Sequence, residues 1–158
     1  MIYLKFGSVQ GDVTQSSHAN WIQVASVAWG LNRPVTNPAG STSGRVLAAP
    51  RVSELTVTKD EDAATIPLVQ QALTGSPQDL TLDFLTTAAS GEGLVYYTIK
   101  LKQAVITGFT QSSAGERPVE TLTFNFTQIA LEGSQIDKAG AAGAPSSYAW
   151  NVAGNAPA

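Results

Sequence analysis

The sequence predicts a mainly β protein: a two-sheet, barrel- or sandwich-like domain with one short flanking α-helix and one long extended loop. Three observations carry that prediction. Apolar and polar residues alternate at period two through most segments, as half-buried strands require. Only one stretch repeats at helical spacing. Two stretches rich in Pro, Gly and small residues interrupt the pattern as loops. With 158 residues, the chain can bury one real core and is short for two, so residues 1–158 read as one domain.

The elements follow in order. "MIYLKF" sets Ile2, Leu4 and Phe6 on one face and Tyr3 and Lys5 on the other. "WIQVASVAWG" (21–30) reads as one strand, with Trp21, Gln23, Ala25, Val27 and Trp29 on one face and Ile22, Val24, Ser26 and Ala28 on the other. Neither face carries a charge, so both need cover from core or from other protein. Ile22 and Val24 are expected in the core; the face of Trp21, Val27 and Trp29 is expected against core or a neighbouring subunit.

"ELTVTK" (54–59) sets Leu55 and Val57 against Glu54, Thr56 and Thr58, and "DLTLDF" sets Leu80, Leu82 and Phe84 against Thr81 and Asp83. "LVYYTIKLK" points Val95, Tyr97, Ile99 and Leu101 inward, and "AVITGFT" follows after a break near Gln103. "ETLTFNFTQIALE" keeps Leu122, Phe124 and Phe126 in phase and then slips to Ile129 and Leu131, which predicts a bulge or bend near Gln128. A last strand is expected at 147–152. The helix starts with Thr65 as cap and Pro67 in the first turn, and ends at Gly75. Its apolar stripe is Ile66, Val69 and Leu73, with Ala72, and Asp60-Glu61-Asp62 stands at the positive end of its dipole. Residues 36–50 read as an extended loop and 133–145 as a flexible arm before the last strand.

Composition excludes several classes. Charged residues are only 13% of the chain against 43% hydrophobic ones, which gives a surface suited to other protein. A net charge of −3 and a pI near 5.0 leave no basic stripe for nucleic acid. No apolar run approaches the roughly 20 residues of a membrane helix, and "MIYLKFGSVQ" lacks the pattern of a secretory signal. Without cysteine there is no disulfide, Cys-zinc or thiol chemistry.

The candidate chemical motifs are weak. His18 has Ser16 and Ser17 beside it, but sequence neighbours rarely supply triad geometry, and a loop histidine before a strand is the simpler reading. "GSTSG" (40–44) is centred on Thr42 and lacks the strand-to-helix setting of a nucleophile elbow. "GEG" (91–93) fits a hairpin turn better than a phosphate cradle. Asp60, Glu61 and Asp62 lack calcium-loop spacing. "NFT" (125–127) falls inside a strand. No enzyme, metal site or cofactor is expected.

Taken in order, the motifs resemble the haemolysin co-regulated protein family, Hcp, nearly end to end. "LKFGSVQGD" is similar to its opening strand and turn, and "HANWIQVASVAWG" to its next strand. "GRVLAAPRVSELTVTKDED" is similar to the return from a glycine-rich extension. "YYTIKLKQAVITGFTQSSAGERPVETLTFNF" carries its Tyr-x-x-x-x-Leu, Arg-Pro-x-Glu and Leu-x-x-x-Phe signature, and "YAWNVAGN" its closing strand. Gly11-Asp12-Val13 and Val27-Ala28-Trp29-Gly30 depart from the usual Gly-Glu-Ser and Trp-Ser-Trp-Gly, and Ile66-Pro67 departs at the helix start.

The resemblance implies a ring-forming structural subunit of the type VI secretion inner tube, with hexameric rings stacked into a hollow tube that is exported with, or carries, effectors. It implies copies of the chain itself, a spike protein, a sheath and effectors as partners, without nucleic acid or membrane insertion. It implies a cytoplasmic product secreted without a signal peptide. Ser41, Thr42, Gly44, Arg45, Val46 and Leu47 would form the ring-stacking loop, and Ser112 and Ser113 a loop at the lumen or cargo. Two alternatives stand beside it: a tail-tube subunit of a phage or related contractile particle, and a monomeric β-sandwich binding carbohydrate through Trp21, Trp29 or Trp150.

Overall fold

The computed structural model describes residues 1–40, 44–88 and 93–158. The strands are β1 (Ile2–Phe6), β2 (Ile22–Val24), β3 (Ser26–Ala28), β4 (Leu31–Asn32), β5 (Val35–Thr36), β6 (Val46–Leu47), β7 (Arg51–Val52) and β8 (Leu55–Asp60). Helix α1 (Thr65–Thr74) follows. Then come β9 (Gln78–Thr87), β10 (Gly93–Ser112), β11 (Val119–Asn125), β12 (Gln128–Ile136), β13 (Ala142–Asn151) and β14 (Ala156–Pro157). The protein is mainly β, as the alternation predicts.

All pairings are antiparallel. One ladder runs β3–β8–β11–β10–β9–β1–β2. Only Ala25 separates β2 from β3, so the ladder returns to the segment where it began. From β10 a second branch leads through β12 and β13 to β14. The long β10 serves both branches because it bends. Tyr97 to Leu101 lie between β9 and β12, and the residues from Val105 pair with β11. The bend falls at Gln103, where φ is +48°, at the break that the sequence pattern predicts.

The core fills the inside of this ladder with Leu4, Phe6, Ile22, Leu55, Leu82, Ile99, Leu122 and Phe124. The Phe6 and Phe124 rings meet edge to face at 5.4 Å. A second, smaller cluster lies outside the sheet, where Tyr3, Val13 and Leu85 pack with Trp21 and Val95. Tyr3 is therefore buried rather than solvent-facing, because the loop after β1 folds back over it. Val95 also leaves its expected set. A register shift between Val95 and Tyr97 turns it to the outer cluster, while Tyr97 packs on the main core against Phe84.

The segment 21–30 is two strands rather than one. β2 pairs with β1 and β3 with β8, and the Ala25 amide donates to the Thr58 carbonyl at the crossing. The alternation slips by one residue there. Ile22 and Val24 point inward as expected, then Val27 and Trp29 do, and Trp21 joins the outer cluster. The single face of Trp21, Gln23, Ala25, Val27 and Trp29 does not exist. The opposite side keeps small or uncharged residues, with Gln23, Ala25, Ser26 and Ala28 exposed.

Helix α1 has the expected span, ended by Gly75 at φ +68° with its amide on the Gln71 carbonyl. Its rotation differs. Ile66 is 75% and Leu73 83% exposed, whereas Thr65, Leu68 and Ala72 face the core. Thr65 fixes this, since its hydroxyl donates to the Glu120 carboxylate at 2.7 Å. Thr65 is the first helical residue rather than the cap. The Asp62 carboxylate takes the Ala64 amide at 2.9 Å and so serves the helix start.

Both expected loops are more ordered than their composition suggests. Residues 31–36 and 46–52 form an antiparallel ribbon, β4 with β7 and β5 with β6, stitched by Arg33 Nε to the Ala48 carbonyl at 2.9 Å. Residues 133–145 lie mostly in the β12–β13 hairpin. Its turn is organised by the Asp137 carboxylate, which accepts the Ala139 and Ala141 amides at 2.9 and 2.8 Å. Glycine content alone gives no sight of these side-chain bonds.

Candidate assembly surface

The ribbon of β4–β7 and β5–β6 is an arm held at its root by reciprocal bonds, Ser53 amide to Gly30 carbonyl and Gly30 amide to Ser53 Oγ. Beyond the root it is exposed, and it presents Leu31, Val35, Val46 and Leu47 to solvent. Val46 is 60% and Leu47 55% exposed, an unusual outlay of β-branched and aliphatic surface on one short strand. Between Leu31 and Val52 the sequence holds three arginines and no carboxylate. The ion pairs among the described residues all lie elsewhere. Of the residues expected in a stacking loop, Gly44, Arg45, Val46 and Leu47 are on this arm, and Ser41 and Thr42 lie outside the described residues.

At the foot of the arm a groove of about 220 Å³ opens between the ribbon and the C-terminal hairpin. Trp29, Leu31 and Val52 form one wall and Ile129, Leu131, Tyr148 and Trp150 the other, with Arg33 and Pro50 at its edge. The sequence gives no warning of this meeting, because Trp29 and Trp150 stand at opposite ends of the chain. The only available signal is that both tryptophans close apolar strands. Trp21, the third tryptophan, sits apart under Lys5, whose Nζ lies 5.9 Å from the ring centroid. The three tryptophans thus do not form one exposed aromatic platform.

Ser112 ends β10, and Ser113 starts the turn to β11, where its hydroxyl donates to the Glu116 carbonyl at 2.6 Å. Arg117, at the end of that turn, reaches Glu61 at 3.6 Å. This turn lies on a different element from the arm, and the structure does not bring the two sets together. Of the "GEG" turn, Gly91 and Glu92 lie outside the described residues.

Two polar clusters escaped the sequence reading. His18 precedes β2 in a short turn, as expected, and is buried there. Nδ1 lies 2.8 Å from Ser17 Oγ and Nε2 2.9 Å from Asp83 Oδ2, while Asp83 Oδ1 accepts the Thr98 hydroxyl at 2.7 Å. The Tyr3 and Trp21 rings flank the imidazole. This chain of bonds clasps the loop after β1 to the face of β9 and β10. The second cluster joins Lys59, Glu120, Thr65 and Asp62 beneath the start of α1.

Two further groups are electrostatically displaced. The Lys102 ammonium bonds Asp79 at 2.8 Å and holds its carboxyl below the usual carboxylate range; partial burial opposes this and the Gln103 amide adds to it. Burial pushes the Tyr97 phenol up.

Residues 3–132 match the family model described as "Type VI secretion system effector, Hcp". A solved "type six secretion system protein" superposes with a TM-score of 0.90 at 28% identity, over 99% of this chain and 98% of that one. Hcp1 from Salmonella typhimurium superposes with a TM-score of 0.78 at 19% identity, over 99% and 97%. A type VI secretion system effector from Yersinia pestis gives 0.70 at 23%, over 96% and 100%. At those lower identities the last two speak for the fold alone. No curated protein matches the chain. The family match extends from β1 into β12, covers the root and tip of the arm, and favours type VI secretion over a phage tail. The chain belongs to the Hcp family, the secreted, ring-forming tube subunits of type VI secretion.

Proposed function

We propose that residues 1–158 act as one tube domain whose arm makes the contact between stacked rings. The observation that carries this is the arm itself: a paired, stiffened ribbon that exposes Val35, Val46 and Leu47 instead of hiding them. A ribbon that served only as a connection would be shorter or polar. Gly44, Arg45, Val46 and Leu47, with Ser41 and Thr42, are its contact residues in this reading.

The role is structural rather than catalytic. The Ser17–His18–Asp83 chain fits a clasp, since both imidazole nitrogens are engaged and the ring is enclosed between two aromatic side chains. The subunit is made in the cytoplasm and leaves through the tube route, with a spike protein, a sheath and effectors as its partners. The turn at Ser112 and Ser113 faces the lumen or its mouth and meets cargo. Val27 and Trp29 support the subunit wall from the core side, and Trp21 braces it from the outer cluster.

Replacing Ser41–Leu47 with a short Gly-Ser turn tests the arm. The melting temperature and the ring mass from light scattering stay nearly unchanged, while secretion and tube growth drop sharply. Unimpaired secretion and tube growth would reject the stacking role, and loss of the single ring would move the arm into the subunit interface.

A further inference from the structure

The arm needs a seat, and the groove at its foot has the matching chemistry. We infer that the groove bounded by Trp29, Leu131, Tyr148 and Trp150 receives Val46 and Leu47, on the arm of another copy of this chain. This rests on the stacking reading above and adds the receiving surface.

The occupant is a second copy for geometric reasons. Val35 and Leu47 pair four residues beyond Leu31 along the ribbon, about 13 Å at roughly 3.3 Å per residue. Bringing Leu47 back over Tyr148 of the same chain would break both short ladders and the Arg33–Ala48 bond. The arm also forms one wall of the groove through Leu31 and Val52, so it cannot fill the space that it encloses. These arm residues and the groove are both apolar and both exposed, with Tyr148 59% accessible beside the half-buried tryptophans. Joining them removes two apolar surfaces from water at once.

The symmetry of the contact also fits. Arm and groove are different patches of one chain, so a contact between them is heterologous: in a pair, one copy keeps a free groove and the other a free arm. Such a contact repeats, around a closed ring or along an axis, whereas a self-complementary patch stops at a pair. A tube of stacked rings requires the repeating kind.

The chain has no cysteine, so introduced thiols report without background. Rings of Leu47→Cys are mixed with rings of a tagged Tyr148→Cys and treated with a short bismaleimide. Both positions are exposed, so both variants keep the melting temperature of the parent. The expected result is a heterodimeric product that appears in the mixture and is absent from either preparation alone. Cross-linking in the mixture no greater than in the separate samples, with both forming rings by light scattering, would overturn the groove contact and leave the tube reading standing. Failure of the parent protein to form rings would overturn the tube reading, and the contact with it. Protection of Tyr148→Cys by cargo, with no protection by arm-bearing rings, would assign the groove to cargo and overturn the inference. Leu47→Asp should abolish protection of Tyr148→Cys by added rings; undiminished protection would also overturn it.

Discussion

Lys59 Nζ stands 2.7 Å from Glu120 Oε2, with Lys59 1% and Glu120 0% exposed. The ammonium also donates to Asp62 Oδ1 and to the Asp60 carbonyl, each at 2.8 Å. Glu120 takes further bonds from Thr65 and from Gln111. The pair joins β8 to β11 and sets the rotation of α1. Removing Glu120 leaves the buried ammonium with Asp62 alone and strands the Thr65 hydroxyl, so Glu120→Ala is expected to cost about 3 kcal/mol, the low end for a broken buried pair. The double variant Lys59→Met/Glu120→Leu should recover most of that loss. Urea denaturation of both variants checks this, and a double variant as unstable as the single one would contradict it.

Ile22 lies in the core at one end of the β1–β2 ladder, opposite Leu4. Ile22→Asp places an unpaired carboxylate there and should cost several kcal/mol, enough to remove soluble protein. Normal expression with an unchanged melting temperature would show that the strand does not face the core.

The two displaced pKa values give opposite pH limits. Burial favours the neutral Tyr97 phenol, so its folded pKa is raised. That contribution is complete below the unfolded value near 10.0 and is lost as pH rises through the folded one. Alkaline melting curves should therefore fall less steeply for Tyr97→Phe. Asp79 is depressed by Lys102, so its contribution holds above the unfolded value of 3.8 and is lost as pH falls through the folded one. The pair is exposed, so Asp79→Asn should change acid stability only slightly.

Gln103 occupies the left-handed region at φ +48°, which costs a residue with a Cβ roughly 1–2 kcal/mol. Glycine removes that strain and loses about 0.5–1 kcal/mol to its freer unfolded chain. Gln103→Gly should therefore gain about 0.5–1 kcal/mol, the remainder of those two terms. Gln103→Val should lose stability. Thermal melts of the two variants should move in opposite directions.

The parts of the fold legible in the sequence were those governed by short-range alternation. Leu80, Leu82 and Phe84, or Leu122 and Phe124, need only neighbours two residues away to declare a face. Where one residue is gained or lost, as at Ala25 and Tyr96, the pattern continues in the wrong phase and nothing local marks the slip. Lys59 and Glu120 were legible in principle. Lys59 keeps phase with Leu55 and Val57, and Glu120 with Leu122 and Phe124, so strict alternation sends both inward. Charge argues the other way until each is seen to have the other as partner. The helix stripe failed for the same reason, since a bond from Thr65 to a strand far along the chain decides which side turns in. Of the assembly surface, the arm was visible by its composition and the groove was not, because its walls meet only in three dimensions.

The ladder that returns through Ala25 has a consequence for biosynthesis. Ile2 finds Val24 early, but its other partner is Phe84. The strand holding Val57 must wait for Leu122. Translation thus delivers β1, β2, β3 and β8 long before the strands that complete their hydrogen bonding. During that interval the nascent chain carries open, weakly charged edges, the condition under which chains aggregate. A ribosome that pauses ahead of β11 prolongs this exposure, and one that runs through shortens it. Codon usage over residues 60–118 should therefore alter the yield of soluble subunit without changing any contact in the finished protein.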